Sequence, residues 1–520
     1  MQTIELRPGG KEWGYESGPK PAVRQGKEQD VVDMRRMGKK QEFRRNFKVV
    51  SISSFCVVTM MGWVFIPINA PLMIEIVGTG GCIVIFLANF AGFLSIVLSL
   101  AEMSSIAPTA GGQYHWTSEF APASIQQLAS YVSGWLSSLS WLVGVASAMF
   151  IAGNIIPTLI SLAHPAFVPQ PYQGYLFIVA ICIVCFLINA FLAKHLPLIE
   201  GFVLCFTVMV FISIVIVLLV LSPKLTGSEV FQTFTPSSEL GTSGGLELVA
   251  AQVLLLYSLV ASDSAAHMAE ETQHAAVIIP RAMVWSYGIT GLLDFIVLLA
   301  VCFTWIAPDI YANPPSGYAF LEQFTTATGS AEGAITLTSI MLVLIGLSVT
   351  NFMASTSRQI FAFARDEGLP FSRWVSKVNE RTMMPVNSLI VVFVFVILIC
   401  LIGLGSVVAF NAIVSLQVMA LAGTYEVSLV SLIWRRLYGK PLPPAPWSLG
   451  RWGLPLNVFG VLYGLYLLAY SAMPSVYPVT TANFNWAPVM FGAVMLLSLS
   501  YYALWARKLY KGPVVHASQD

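Results

Sequence analysis

Twelve apolar segments divide this chain, each long enough to supply the roughly 20 residues that a helix needs to cross a bilayer. Counted by side, every Lys and Arg except Lys224 is assigned to the ends or loops on one side of them. We place the segments at 49–75, 80–103, 125–160, 174–193, 196–222, 246–272, 281–306, 334–364, 387–405, 407–434, 454–473 and 486–508. The chain is 56% hydrophobic and 10% charged, against about 25% charged in an average soluble protein. Backbone polar groups must be satisfied internally in hydrocarbon, so these segments are expected as helices. One-sided Lys and Arg mark the cytoplasmic side, and an even number of crossings returns both termini to it. The expected class is an all-α membrane protein. Residues 1–48 form a polar cytoplasmic tail expected to be disordered, 49–508 the membrane domain, and 509–520 a short cytoplasmic tail.

The expected outer loops are 161–173, 223–245, 307–333 and 474–485, rich in Pro, Gly, Ser and Thr and free of Asn-x-Ser/Thr sequons. The seven cysteines all lie in apolar segments. Cys182 and Cys185 form a C-x-x-C within a run of Val, Ile and Phe, where neither redox nor zinc chemistry has polar access. They are expected as buried thiols packing helices. GTGG at 78–81 reads as a short outer turn. The chain carries no Walker lysine, nucleophile elbow or metal-ligand spacing, so an enzyme is not expected.

Two spans read as interrupted, at equivalent places in two five-helix halves. The first, FCVVTMMGWVFIPINAPLMIE, has Gly62 and Pro67 at its middle. In the sixth, LLLYSLVASDSAAHMAEET, Ser258, Ser262, Asp263 and Ser264 break an apolar run. Such a pair points to a five-plus-five inverted repeat with broken helices 1 and 6 and two extra helices, the plan of secondary transporters. Unwound backbone survives at that depth only where it faces protein or a water-filled cavity, and its free N–H and C=O groups become ligands.

The segment AEMSSIAPTAGGQYHWTSEFAP after the second span resembles the inner loop of the amino acid–polyamine–organocation superfamily. Its ending, GGQYHW followed four residues later by AP, is similar to the fungal amino acid/choline permease branch. DSAAHMAEE with IPRAM, FARDEGLPFSRWVSKVN and PSVYPVTTANFNW agree, the last two resembling choline permeases and their relatives. The resemblance covers about residues 45–508. It implies uptake at the plasma membrane, usually driven by an ion gradient, of a small nitrogenous solute: an amino acid, 4-aminobutyrate, choline or a related amine.

Ionisable groups inside a membrane are costly and therefore functional candidates. Asp263 is the only acid expected at either break. It either holds a cationic nitrogen or a proton, or caps the half-helix that follows. The sidedness reading leaves no Lys or Arg inside a span to neutralise it. Tyr257 matches, by the resemblance, an aromatic that gates related antiporters; its other reading is an interhelical aromatic. Met61, Gly62 and Trp63 sit at the first break, where Gly62 lets the backbone open and Trp63 either stacks on a cation or packs. Ser258 and Ser262 complete the expected binding set. Coupling or gating candidates are Glu200, His267, Glu270, Asp294 and Glu426. Glu102, Gly111, Gly112 and Gln113 read as structural or gating, and Ser348, Thr350 and Asn351 as cavity liners, Na⁺ ligands or backbone-bonded hydroxyls and amides.

Some proton-coupled relatives carry a lysine within the fifth span, and this chain has none there. H⁺ is the expected coupling ion with Na⁺ left open, and no cofactor or bound metal is expected. The bilayer and a small amine or amino acid are the expected partners, and nucleic acid is not. A nutrient sensor on the same scaffold would carry a long soluble extension, whereas an exporter of a nitrogenous metabolite would share every feature above.

Overall fold

The computed structural model describes residues 28–234, 252–380, 382–404, 407–473, 480 and 484–513. Among these residues the protein is helical, without strands. Its β pairing is confined to isolated bridges of Phe47 with Thr272 and of Asn379 with Met384. Nine helical stretches of the described residues are long and apolar enough to cross a membrane, and Val386–Ile402 is a shorter apolar helix. The stretch Val49–Ile106 is 58 residues long, nearly three times the roughly 20 residues that one crossing needs. It bends at Gly78, whose φ of 77° and ψ of 169° suit a residue without Cβ. The expected turn at 78–81 is thus contracted to one glycine kink. Most of the region 246–272 is present as helix over 252–256, an irregular stretch, and short helices at Ser264–His267 and Ala269–Glu271. Residues 235–251, with the start of the sixth span, lie outside the described residues.

The fifth span shows how the surface is organised. Leu198, Phe202, Met209, Ile216 and Val220 are exposed along one helical face of Ala193–Leu221, while Glu200, Val203, Thr207, Val210 and Ile214 are buried on the other. Apolar residues outside and polar residues inside is the arrangement that lipid demands. Ala487–Leu509 lies at the periphery, with Leu496, Leu497, Leu504 and Trp505 exposed.

Two expectations change. The polar N-terminal segment is folded from residue 28 onward: Glu28–Arg36 is a helix, and Met34, Met37, Phe43 and Phe47 are buried. These apolar residues are spaced among charges, so average polarity concealed them; residues 1–27 lie outside the described residues. Residues 307–333 contain the helices Pro308–Ala312 and Ala319–Thr328, which bury Tyr311, Phe320, Leu321 and Phe324. The cysteine expectation holds: Cys182 and Cys185 are free and buried, and of the other five free cysteines Cys205 alone is exposed, on the apolar exterior.

Candidate functional site

The first span breaks where sequence places Gly62. The Val49–Met60 helix ends at Met61, which adopts a left-handed conformation (φ 38°, ψ 34°) and donates its N–H to the Val57 carbonyl at 2.9 Å. A helix that stops leaves its last carbonyls without intrahelical donors. The Ala331–Arg365 helix helps supply them. Ser348 Oγ donates to the Thr59 carbonyl at 2.8 Å; Asn351 Nδ2 adds a longer bond, 3.4 Å, to Phe55, a carbonyl inside the helix that already accepts from Thr59 Oγ1 at 2.6 Å. Thr350 instead bonds back to the Gly346 carbonyl of its own helix at 2.9 Å.

The sixth span breaks at a matching place. Tight turns run through Tyr257, Ser258 and Leu259, Ala261 takes a φ of 75°, and helix resumes at Ser264. The two breaks touch. A Cβ added at Gly62 would overlap the Ser258 carbonyl oxygen and both carboxylate oxygens of Asp294. Gly62 therefore has two tasks, opening the helix and letting the sixth-span backbone and a seventh-span acid come close. Asp294, in the Ala275–Phe303 helix, is fully buried; the Ser258 side chain lies beside it, but neither of its oxygens makes a hydrogen bond of ordinary geometry among the described residues. This corrects the expectation that Asp263 alone would stand at the breaks. An acid at mid-span gives no sign in sequence of which neighbouring helix it faces.

Asp263 is held differently. Gln113 Nε2 donates to its Oδ2 at 2.5 Å, and its side chain makes no cap bond to the following helix. Its Oδ1 has no partner. His267 Nε2 lies 3.9 Å from Oδ2, and the Tyr425 hydroxyl is also beside the carboxylate. His267 Nδ1 is 2.8 Å from the Ala110 carbonyl, which can only accept, so Nδ1 carries a hydrogen. Nε2 then faces Asp263 as a lone pair in the neutral ring and as an N–H in the charged one. The Trp141 ring meets His267 edge-on at 4.8 Å. Gly112, at φ 54°, brings the loop against this imidazole: its added Cβ would sit 3.1 Å from His267 Cε1. Gln113–Phe120 is a short buried helix rather than a surface loop. Gln113 is thus a direct partner of Asp263, a role its place in a loop motif did not reveal.

The two candidate wall aromatics point to different neighbours. Trp63 packs edge-on against Phe211 of the fifth span at 5.5 Å, with its Nε1 buried and unpartnered. Tyr257 packs against Phe65 at 5.2 Å, and its hydroxyl lies 2.9 Å from Ser147 Oγ. That hydroxyl of Ser147 also reaches Gln417 Oε1 at 3.0 Å, joining the third and tenth spans to the break. Thr207 donates weakly to Met61 Sδ at 4.0 Å. Ser258 Oγ bonds to the Leu255 carbonyl at 2.8 Å, while Ser262 Oγ is buried without a partner. Glu200 is buried beside Asn351 with Oε2 unpartnered. Glu426 is not part of this cluster, because it faces the eleventh span, where an added Cβ at Gly464 would overlap its Oε1.

The end of the bundle that carries the basic residues is tied together by ion pairs. Arg365 makes a fork on Glu270, with Nη1–Oε2 at 2.9 Å and Nη2–Oε1 at 2.7 Å. Arg358, fully buried within its helix, donates from Nε to Glu271 Oε1 at 2.8 Å. This corrects the reading that no cation lies inside a span, although the cation serves Glu271 and not Asp263. The N-terminal segment straps the same network. Lys39 pairs with Asp366, Gln41 Nε2 donates to the Glu270 carbonyl at 2.8 Å, and Asp30 accepts from the His274 and Ala275 N–H groups. Burial pulls the Lys39 pKa below the ordinary lysine range despite the attraction of Asp366.

Comparisons with known proteins agree with this architecture. A family model described as amino acid permease matches residues 47–495. The chain is 30% identical to an uncharacterised amino-acid permease of Schizosaccharomyces pombe, over 93% of this chain and 89% of that one. It is 32% identical to a putative amino acid/polyamine transporter of Macrophomina phaseolina, over 76% and 87%. It is 28% identical to an amino-acid permease of Arabidopsis thaliana, over 93% and 96%. Among solved structures, a manganese transporter of Eremococcus coleocola superposes with a TM-score of 0.53 at 13% identity, covering 88% of this chain and 94% of that one. At that identity the likeness speaks for the fold alone. With its broken helices, lipid-facing exterior and family match together, the chain belongs to the amino acid permease family and is a multi-pass membrane transporter of amino acids or related solutes.

Proposed function

We propose that this transporter imports a small solute bearing a cationic nitrogen by alternating access, as a secondary permease of the choline and 4-aminobutyrate type. The nitrogen is received by Asp294 where the two breaks meet. The observation that carries this reading is the buried Asp294 carboxylate, which makes no hydrogen bond within ordinary geometry among the described residues and lies against Gly62 with the Ser258 side chain beside it. A buried charge needs a compensating group, and a substrate ammonium at the junction of the two breaks would supply it. Met61, Gly62, Trp63, Tyr257, Ser258 and Ser262 form the surroundings of that point. We read twelve crossings, with the basic end and both termini on the cytoplasmic side of the plasma membrane.

The coupling ion in this reading is H⁺, taken by Glu200. This acid is buried beside Asn351, whose amide also binds the first-span carbonyl of Phe55. Protonation there would act at the joint between the first and eighth spans. The decisive experiment is uptake by the purified full chain in proteoliposomes. Radiolabelled choline, 4-aminobutyrate, polyamines and common amino acids would be compared with and without an acid-outside gradient. At least one cationic or zwitterionic solute should accumulate, and a protonophore should abolish the accumulation. If no nitrogenous solute is taken up, or if only Na⁺ drives uptake, the respective part of the proposal fails. Glu200→Gln should remove the stimulation by the gradient while solute exchange continues. A variant that still responds to the gradient would clear Glu200 of that role.

A further inference from the structure

A second site lies at the basic end, away from the two breaks. The loop between Val407–Tyr438 and Gly453–Ser471 folds over a cavity of about 620 Å³. Arg435, Arg436 and Arg451 line it with a single carboxylate, Glu102. That carboxylate is already committed. Its Oε1 accepts from the Ser448 hydroxyl and the Leu449 N–H, each at 3.0 Å, and its Oε2 pairs with Arg436. Arg436 is further fixed by Nε donating to Asn457 Oδ1 at 2.9 Å, and Gly453 leaves room for its guanidinium. Glu102 and Arg436 therefore form a neutral, rigid floor, and the positive charges of Arg435 and Arg451 are in excess. Arg435 Nε is buried with no hydrogen-bond partner among the described residues. Prolines of the KPLPPAPW stretch stiffen the wall, since each fixes its own φ.

Forked guanidinium donors suit the oxygens of a phosphate. The rim tells which kind of phosphate fits. Tyr438 is 77% exposed and Trp452 60% exposed, and Arg451 lies over the Trp452 ring at 5.8 Å. Exposed Trp and Tyr beside a transmembrane helix mark the headgroup level of a bilayer. From that rim Val458, Phe459, Leu462 and Leu465 run exposed along the next helix, a surface on which acyl chains can lie. We propose that this cavity binds the phosphate-bearing headgroup of an anionic membrane lipid, with Arg435 and Arg451 as its anion ligands.

The test uses the full-length protein in mixed micelles and counts bound lipid by native mass spectrometry. Phosphatidylserine and phosphatidylinositol are compared with phosphatidylcholine. The wild type should retain the anionic lipids about fivefold or more over phosphatidylcholine, and the pair Arg435→Gln and Arg451→Gln should lose that preference. Should the pair fail to purify, Arg451→Gln alone, at the exposed rim, should halve the preference or better. Equal retention of the three lipids by the wild type would overturn the proposal. So would an undiminished preference in the variants. Displacement of lipid by inorganic phosphate at matching concentration would assign the cavity to a soluble anion instead.

Discussion

Replacing Arg358 by methionine should leave little folded, monodisperse protein. The guanidinium is buried and is engaged on every side. Nε holds Glu271 at 2.8 Å, Nη1 holds the Ala354 carbonyl at 3.3 Å and Ser357 Oγ at 3.1 Å, and Nη2 reaches Met384 Sδ at 3.5 Å. Methionine fills much of the same volume but leaves the Glu271 carboxylate buried and uncompensated. Breaking a buried ion pair from one side costs about 3–5 kcal/mol, whereas replacing both partners by apolar residues is often neutral. Adding Glu271→Leu to Arg358→Met should therefore recover most of the lost stability. Fluorescence-detected size exclusion after a heating series would measure both variants. An unaltered melting profile for Arg358→Met alone would show that Glu271 is solvated or protonated at no cost. Equal losses in the single and double variants would show that the guanidinium contributes packing and backbone bonds rather than charge.

The same arginine illustrates what sequence could and could not reveal. Hydropathy and the sidedness of Lys and Arg made the membrane class legible, because each span depends only on its own residues. The helix breaks were legible for a similar reason, since Gly62 and the Ser-Asp-Ser run act locally. Partnerships between helices were not. Arg358 stands seven residues before the helix end at Arg365, so a count of charges by side absorbed it into the inner loop. Asp294 could be recognised as an acid in an apolar run, but nothing local pairs it with Gly62, which is more than two hundred residues away. Asp263 was visible, and its partner Gln113 was hidden in a loop motif that folds into the core. Tyr425 and Glu426 are neighbours in sequence, yet one lies beside Asp263 and the other faces Gly464. Helical phase decides which of the two meets the site, and a uniformly apolar span carries little phase information.

Replacing Asp294 by asparagine should abolish most uptake at unchanged surface expression. Asparagine keeps the shape beside Gly62 and the Ser258 carbonyl, so the variant removes charge without altering the packing. Losing one member of a buried charge pair costs about 2–5 kcal/mol of binding, enough to lower uptake at subsaturating solute by more than about tenfold. Gly62→Ala should be equally damaging by a separate route. Its new methyl overlaps the Asp294 carboxylate, which can swing away, and also the Ser258 carbonyl, which moves only if the sixth-span break moves. Asp263→Asn should be the mildest of the three, because an amide oxygen still accepts from Gln113. Concentration-dependent uptake in cells expressing each variant separates the cases. Asp294→Asn should raise the apparent KM steeply, Gly62→Ala should lower the maximal rate, and Asp263→Asn should keep more than half of the wild-type rate. Near-normal uptake by Asp294→Asn together with a dead Asp263→Asn would move the cation site from the seventh span to the half-helix at Ser264, where Gln113 would have to give way to the solute.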